Sequence, residues 1–189
     1  MESVIASYVT NALAEQPDIL AHTNRVVNYC KIIGKTEKVN MDILMMSAWL
    51  HDICWSNQEI NPETIKTHAQ ESSIMAKEIL EKINMSDNVV EKVSSAIASH
   101  EQLNENPSNE MRILFEADHL DRLGAIGISR IFSTYGVKAG LEIINKRILP
   151  FMETWFVTKK GFDLAREKIH FLNMFADNYN DELIRVQKS

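Results

Sequence analysis

Apolar residues recur three and four positions apart along most of the chain, the spacing of one face of an α-helix. Residues 2–15 place Val4, Ile5, Tyr8, Val9, Ala12 and Leu13 at that spacing. A second helix over 19–33 has Val26, Tyr29 and Ile33 on one face. His22 continues this face one turn earlier, and Gly34 reads as the carboxy-terminal cap. Residues 41–54 are apolar around most of their circumference (Met41, Leu44, Met45, Ala48, Trp49), which predicts a central, buried helix. It ends in His51-Asp52-Ile53-Cys54-Trp55.

Asn61 as N-cap and Pro62 at the first helical position open a helix over 62–83. Its face is Ile65, His68, Ser72, Ala76, Ile79 and Ile83. Ser86-Asp87 opens another over 87–101, aligning Val89, Val93, Ala96 and His100. Residues 111–123 are expected to bury Ile113, Leu114, Ala117, Leu120 and Leu123, after which Gly124 and Gly127 mark a close approach or a break. Further helices are expected at about 125–135, 137–149 and 160–185. No repeat or Pro/Gly/Ser linker interrupts the pattern. The expectation is one all-α domain, a multi-helix bundle spanning 1–189. Its motif-bearing core runs from about 19 to 135, and its carboxy-terminal helices from about 137 to 185.

Composition narrows this further. Hydrophobic residues make up 45% and charged residues 24%, which excludes a disordered or fibrous chain. Only 6 Gly and 4 Pro occur in 189 residues, too few for an all-β fold built on tight turns. The 20 basic and 26 acidic residues leave a net charge of −6, which argues against non-specific nucleic-acid binding. A small phosphorylated ligand stays compatible, because one bound metal can dominate the local field. Cys30 and Cys54 show no disulfide-framework spacing. The amino terminus lacks a basic leader, and the longest apolar stretch, 43–50, is far short of a membrane span. These features predict a cytoplasmic protein with no membrane partner.

The six histidines change the picture. His22, His68 and His100 each sit in an otherwise apolar stripe, on three different expected helices. His51-Asp52 closes the most apolar helix, and Asp118 lies within Phe115-Glu116-Ala117-Asp118-His119-Leu120. Burying so many ionisable groups is costly unless they pair or coordinate a metal. A buried polar network holding the helices together is the plain alternative. Helix bundles build metal sites by converging one or two inward ligands from each helix. Imidazoles mixed with carboxylates suit Mn, Fe, Co, Ni or Zn better than Ca, with Mg possible. Without inward cysteines, a closed structural zinc site is disfavoured.

The ordered set His22 … His51-Asp52 … Asp118 resembles the signature of the HD-domain metal-dependent phosphohydrolase superfamily. Its flanks agree. His22-Thr23-Asn24-Arg25-Val26 matches that family's His-x-x-Arg-Val opening. Ala117-Asp118-His119-Leu120-Asp121, Gly124-Ala125-Ile126-Gly127-Ile128 and Lys159-Lys160-Gly161-Phe162-Asp163-Leu164-Ala165 resemble a small bacterial branch of it. The resemblance spans about 19–185. It implies a bundle of the HD-domain type with one divalent metal in its core, held by His22, His51, Asp52 and Asp118. A second ion is possible at His68 and His100. The implied reaction is hydrolysis of a phosphate ester or anhydride of a nucleotide or similar small molecule, with His68, His100 and Asp52 as the catalytic set. Arg25, one turn from His22, is expected either to grip phosphate or to pair with Asp121 or Glu116.

The same residues also resemble the six-ligand pattern of HD-fold di-iron oxygenases, and a non-catalytic nucleotide sensor is a third reading. Two features depart from the branch: His119 stands where a Lys or Arg is usual, and Trp55 with the 55–61 loop is peculiar to this chain. His119 lies about 100° around its helix from Asp118 and should point elsewhere. His170 reads as structural, Cys54 as a small buried hydrophobe, and Met45 and Met46 as core.

Overall fold

The structure, a computed structural model, describes residues 1–61 and 63–187. Its helices are α1 (Glu2–Ala12), α2 (Pro17–Gly34), α3 (Met41–Leu50), α4 (Thr64–Lys82), α5 (Asp87–Ala98), α6 (Asn109–Asp121), α7 (Gly124–Ile143) and α8 (Lys159–Gln187). No strand occurs among the described residues. Among the described residues no helix is long and apolar enough to cross a membrane. The expected all-α fold is therefore what forms. The chain divides into two compact units, Met1–Asp118 and His119–Ser189.

In the first unit α3 is the centre, with every residue from Ile43 to Leu50 buried. Asn40 starts it, its side chain accepting the N–H groups of Asp42 and Ile43 at 3.1 and 3.2 Å, as an N-cap does. The helix stops at Leu50, four residues before the expected end. Asp52 has left helical geometry (φ −118°, ψ 21°), and a 3-10 turn over Ile53–Ser56 follows. His51 and Asp52 thus sit on a buried corner rather than along a helix face. α2 packs beside α3, and here the reading of Gly34 needs correction. Gly34 is the last residue of α2 rather than a left-handed cap. A Cβ there would meet Leu44 Cδ2 at 2.8 Å and Met41 Sδ at 2.9 Å, so the missing side chain serves close approach to α3.

α4 and α5 form an antiparallel pair. The turn between them uses Asn84 at φ 56°, with Met85 N–H bonded to Leu80 O at 3.0 Å, a Schellman-type ending. α4 begins at Thr64, two residues after the expected start, with Glu63 rather than Asn61 at its N-cap; Asn61 Oδ1 accepts Glu63 N–H and Thr64 N–H at 2.9 and 3.0 Å just ahead of it, and Pro62 lies outside the described residues. The inward face of α4 is His68, Ala69, Ser72, Ala76 and Leu80; Ile79 and Ile83 are half-buried instead. On α5 Val90, Val93, Ala96 and Ile97 are buried, and Val89 is displaced to the edge. α6 is tied down at its start by two bonds: Asn40 N–H donates to Glu110 Oε1 at 2.7 Å, and Asn109 Nδ2 donates to Lys38 O at 2.9 Å.

The second unit holds α7 and α8. Gly124 begins α7 at φ 72°, and a Cβ on Gly127 would lie 2.1 Å from the Arg122 carbonyl, so both glycines are sterically required. Gly136, at φ 70° and ψ 173°, kinks α7 between the two helices expected at 125–135 and 137–149. Arg130 donates to the fully buried Asp121 at 2.8 Å. His119 packs edge-on against Trp155, ring centroids 4.5 Å apart. His170, read as structural, is exposed on α8.

Candidate metal centre

Five segments of the first unit bring six sequence-selected side chains to one place. α2 supplies His22, the α3 corner supplies His51 and Asp52, α4 supplies His68, the end of α5 supplies His100, and α6 supplies Asp118. All six are buried. Their donor atoms fall into two groups, His22 with His51 and Asp118, and Asp52 with His68 and His100; within each, one ligand atom per residue lies within 4.8 Å of the others.

Backbone carbonyls orient the rings. Nδ1 of His51 lies 2.8 Å from Ala48 O, Nδ1 of His68 2.7 Å from Ile65 O, and Nδ1 of His100 2.7 Å from Ile97 O. A carbonyl only accepts, so each Nδ1 carries a proton and each Nε2 is turned inward, where it could ligate a metal. For His51 and His100 the carbonyls lie at or near helix ends, where the last C=O groups lack intrahelical partners. Trp55 stacks on His68 at 5.5 Å and 22°, which fixes that ring further. The start of the 55–61 loop therefore borders the site.

The inward nitrogens meet in pairs, His22 Nε2 and His51 Nε2 at 3.2 Å, His68 Nε2 and His100 Nε2 at 3.1 Å. Asp52 stands between the pairs. Its Oδ2 is 3.5 Å from His22 Nε2 and 3.6 Å from His51 Nε2. Its Oδ1 is 3.6 Å from His68 Nε2 and 3.9 Å from His100 Nε2. Asp118 Oδ1 lies 3.1 Å from His22 Nε2.

Burial pushes the imidazole of His51 down to about 4, more strongly than the attraction of Asp52 pulls it up, so the ring is neutral at pH 7. Burial also opposes the charged form of His68, but the bond to Glu101 and the negative charges of Asp52 and Glu101 hold it up at about 9. Burial opposes the charge on Asp52 as well; the surrounding imidazoles outweigh it and keep the carboxyl below its ordinary range.

The donor set fits a divalent cation. Asp52 Oδ1 is buried without a hydrogen-bond partner, an arrangement that costs free energy unless an ion or water completes it. Two ring nitrogens only 3.2 Å apart, as in His22 and His51, likewise need a shared proton or a cation between them. Imidazole nitrogen and carboxylate oxygen together match the borderline transition metals. Cys54 contributes no ligand: its thiol is pushed up to about 12, chiefly by burial, and its N–H donates to Ser72 Oγ at 3.2 Å.

Arg25 is half-buried on α2 one turn after His22, and Glu116 is buried on α6. One residue of the site escaped the sequence reading. Glu101 Oε1 lies 3.3 Å from His68 Nε2 and 3.8 Å from His100 Nε2. The available signal was its position directly after His100, a second imidazole-carboxylate dipeptide like His51-Asp52.

Comparison with known proteins agrees with this geometry. The HD domain model matches residues 19–123. Several solved structures share the fold over nearly their whole length. A predicted HD-superfamily hydrolase from an uncultured Thermotogales bacterium is 25% identical, with a TM-score of 0.66, covering 96% of this chain and 92% of that one. The YpgQ protein of Bacillus subtilis in complex with ADP is 21% identical, with a TM-score of 0.72 and coverage of 96% and 94%. A Listeria innocua protein is 22% identical, with a TM-score of 0.74 and 97% coverage of both chains. No curated protein matches the chain. With the family model covering more than half the chain, and the residues that carry its motif gathered around one buried carboxylate, the protein belongs to the HD-domain family.

Proposed function

We propose that the protein is a metal-dependent phosphohydrolase acting on a nucleotide or a similar small phosphate compound, with His22, His51, Asp52 and Asp118 holding the metal. The observation that carries this is the approach of four imidazole Nε2 atoms to the two oxygens of the single buried carboxylate of Asp52. A divalent metal held there lowers the pKa of a bound water and polarises a phosphoryl oxygen.

The remaining work falls to side chains. His51 stays neutral near pH 7, so its Nε2 is ready to ligate without first losing a proton. His68 carries a proton into the neutral range and stands at the half-exposed Glu101 edge of the site. While no cation lies beside it, its Nε2 can donate that proton to a leaving oxygen, with Trp55 holding its ring in place. Arg25 offers a planar guanidinium for bidentate phosphate contact. The ADP in the Bacillus subtilis structure supports a nucleoside diphosphate among the first compounds to try.

A second reading has one observation in its favour. Asp52 joins two ligand groups, the layout expected of a di-iron centre. One experiment separates the two. Metal-stripped protein is reloaded with Mn, Mg, Co, Ni or Fe(II) and assayed with nucleotides for release of phosphate and pyrophosphate, and for oxygen uptake. Hydrolysis with at least one metal supports the phosphohydrolase. Oxygen uptake restricted to iron, without hydrolysis under any metal, would replace it with the oxygenase.

A further inference from the structure

At the end of α5, His100-Glu101 repeats what His51-Asp52 does at the end of α3. Both imidazoles lie just beyond the last helical residue, and both turn Nδ1 to the carbonyl three positions earlier, at 2.7 and 2.8 Å. Both are followed directly by a carboxylate. The two carboxylates converge on the same pair of nitrogens. Asp52 Oδ1 is 3.6 Å from His68 Nε2 and 3.9 Å from His100 Nε2, and Glu101 Oε1 is 3.3 and 3.8 Å from them. Three members of this set are buried, and the Asp52 side chain, only 8% exposed, presents its unpartnered Oδ1 to it. The Glu101 side chain is 36% exposed and closes the set from the solvent side.

We infer that Glu101 is a metal ligand: with Asp52 Oδ1, His68 and His100 it completes a second cation position, distinct from that of His22, His51 and Asp118. Two imidazole nitrogens and two carboxylate oxygens are a donor set suited to Mn, Fe, Co or Zn. Charge favours the assignment. Asp52 and Asp118 alone would leave two of the four positive charges of a pair of divalent ions uncompensated inside the protein. Glu101 removes one of these and leaves a single net positive charge to attract an anionic substrate. A donor atom of Glu101 also lies within 4.8 Å of one on Asp118.

The inference rests on the metal-centre reading above, and binding stoichiometry separates the two. Mn2+ binding to the metal-stripped full chain is measured by equilibrium dialysis with elemental analysis, for wild type, Glu101→Gln and Glu101→Ala. Wild type should bind one ion tightly and a second more weakly. Both variants should keep the first ion at unchanged affinity and bind the second at least tenfold more weakly. The retained first ion shows that the surrounding site is intact. The visible absorption of the second Co2+ equivalent should also change in Glu101→Gln. A wild type binding a single ion, or a second ion indifferent to both substitutions, overturns the role of Glu101 and leaves the first metal position standing. A wild type binding no ion overturns the metal reading and this inference with it.

Discussion

Asp52 and His68 stand 3.6 Å apart, Oδ1 to Nε2, while the other oxygen of the same carboxylate faces His22 at 3.5 Å. One side chain therefore joins ligands from α2, the α3 corner, α4 and the end of α5. Its removal should disturb the site more than the loss of any one imidazole. Protein purified with its metal should carry close to one tightly held ion per chain. Asp52→Ala should reduce this below about one-tenth, and Asp52→Asn should do nearly the same, because the amide keeps the shape but not the charge. Elemental analysis of the purified variants decides the matter, and full metal content in Asp52→Ala would end the four-ligand assignment.

His51 tests whether the buried imidazoles serve chemistry or only packing. It is fully buried, and its Nδ1–H satisfies the carbonyl of Ala48. His51→Ala should abolish hydrolysis while the helical circular dichroism survives. Metal-free stability should fall by about 1–3 kcal/mol, the ordinary range for a buried substitution. A variant that melts at room temperature but keeps its specific activity in the folded fraction would make His51 a packing residue.

The two shifted histidines give the metal-free protein a stability maximum in pH. His68 titrates near 9 in the folded chain against an ordinary value of about 6.5. Its contribution is complete below about 6.5 and is lost as pH rises towards 9. His51 is held near 4. It favours folding while neutral, so its contribution is present above about 6.5 and is lost as pH falls towards 4. The melting temperature of stripped protein should therefore peak near pH 6.5 and fall on both sides. Saturating Mn2+ should raise the alkaline limb most, since ligation needs a deprotonated His68 and competes with its proton. Thermal melts from pH 4 to 9, with and without the metal, check both limbs. A melting temperature that keeps rising from pH 6.5 to 9 in stripped protein would contradict the charge placed on His68.

Much of this site was legible in the sequence because its ligands interrupt apolar stripes. His22 and His68 lie on α2 and α4 where periodicity alone puts core residues, and both are buried. What periodicity could not place was the corner after Leu50. A helix continued to residue 54 would send Asp52 about 100° around from His51. The chain instead turns at Asp52, and both residues reach the same nitrogens. Gly34 was misread because a glycine near a helix end has two uses, and only the approach of Leu44 and Met41 shows which applies. Glu101 was missed for a similar reason. On the expected helix over 87–101 it stands about 100° around from His100, off the inward face, whereas α5 ends at Ala98 and the Glu101 carboxylate reaches His68 and His100.

His68 and His100 carry the last prediction, since they group with Asp52 rather than with His22 and His51. If they serve the reacting phosphate, directly or through a cation beside them, His68→Ala and His100→Ala should keep the first metal. Both should lose about 10²–10⁴-fold in kcat/KM, the usual worth of a positioned acid or base. The loss should lie mainly in kcat, because interactions made only in the transition state leave substrate binding little changed. Trp55 provides an internal control. It stacks on His68 without presenting a donor atom to the ligand groups, so Trp55→Leu frees the ring but leaves its chemistry intact. That variant should lose up to about 10²-fold in kcat, less than His68→Ala, because a misplaced catalytic group still acts where a deleted one does not. Equal losses in Trp55→Leu and His68→Ala, with KM raised in both, would show instead that the pair shapes the pocket and takes no part in the chemical step.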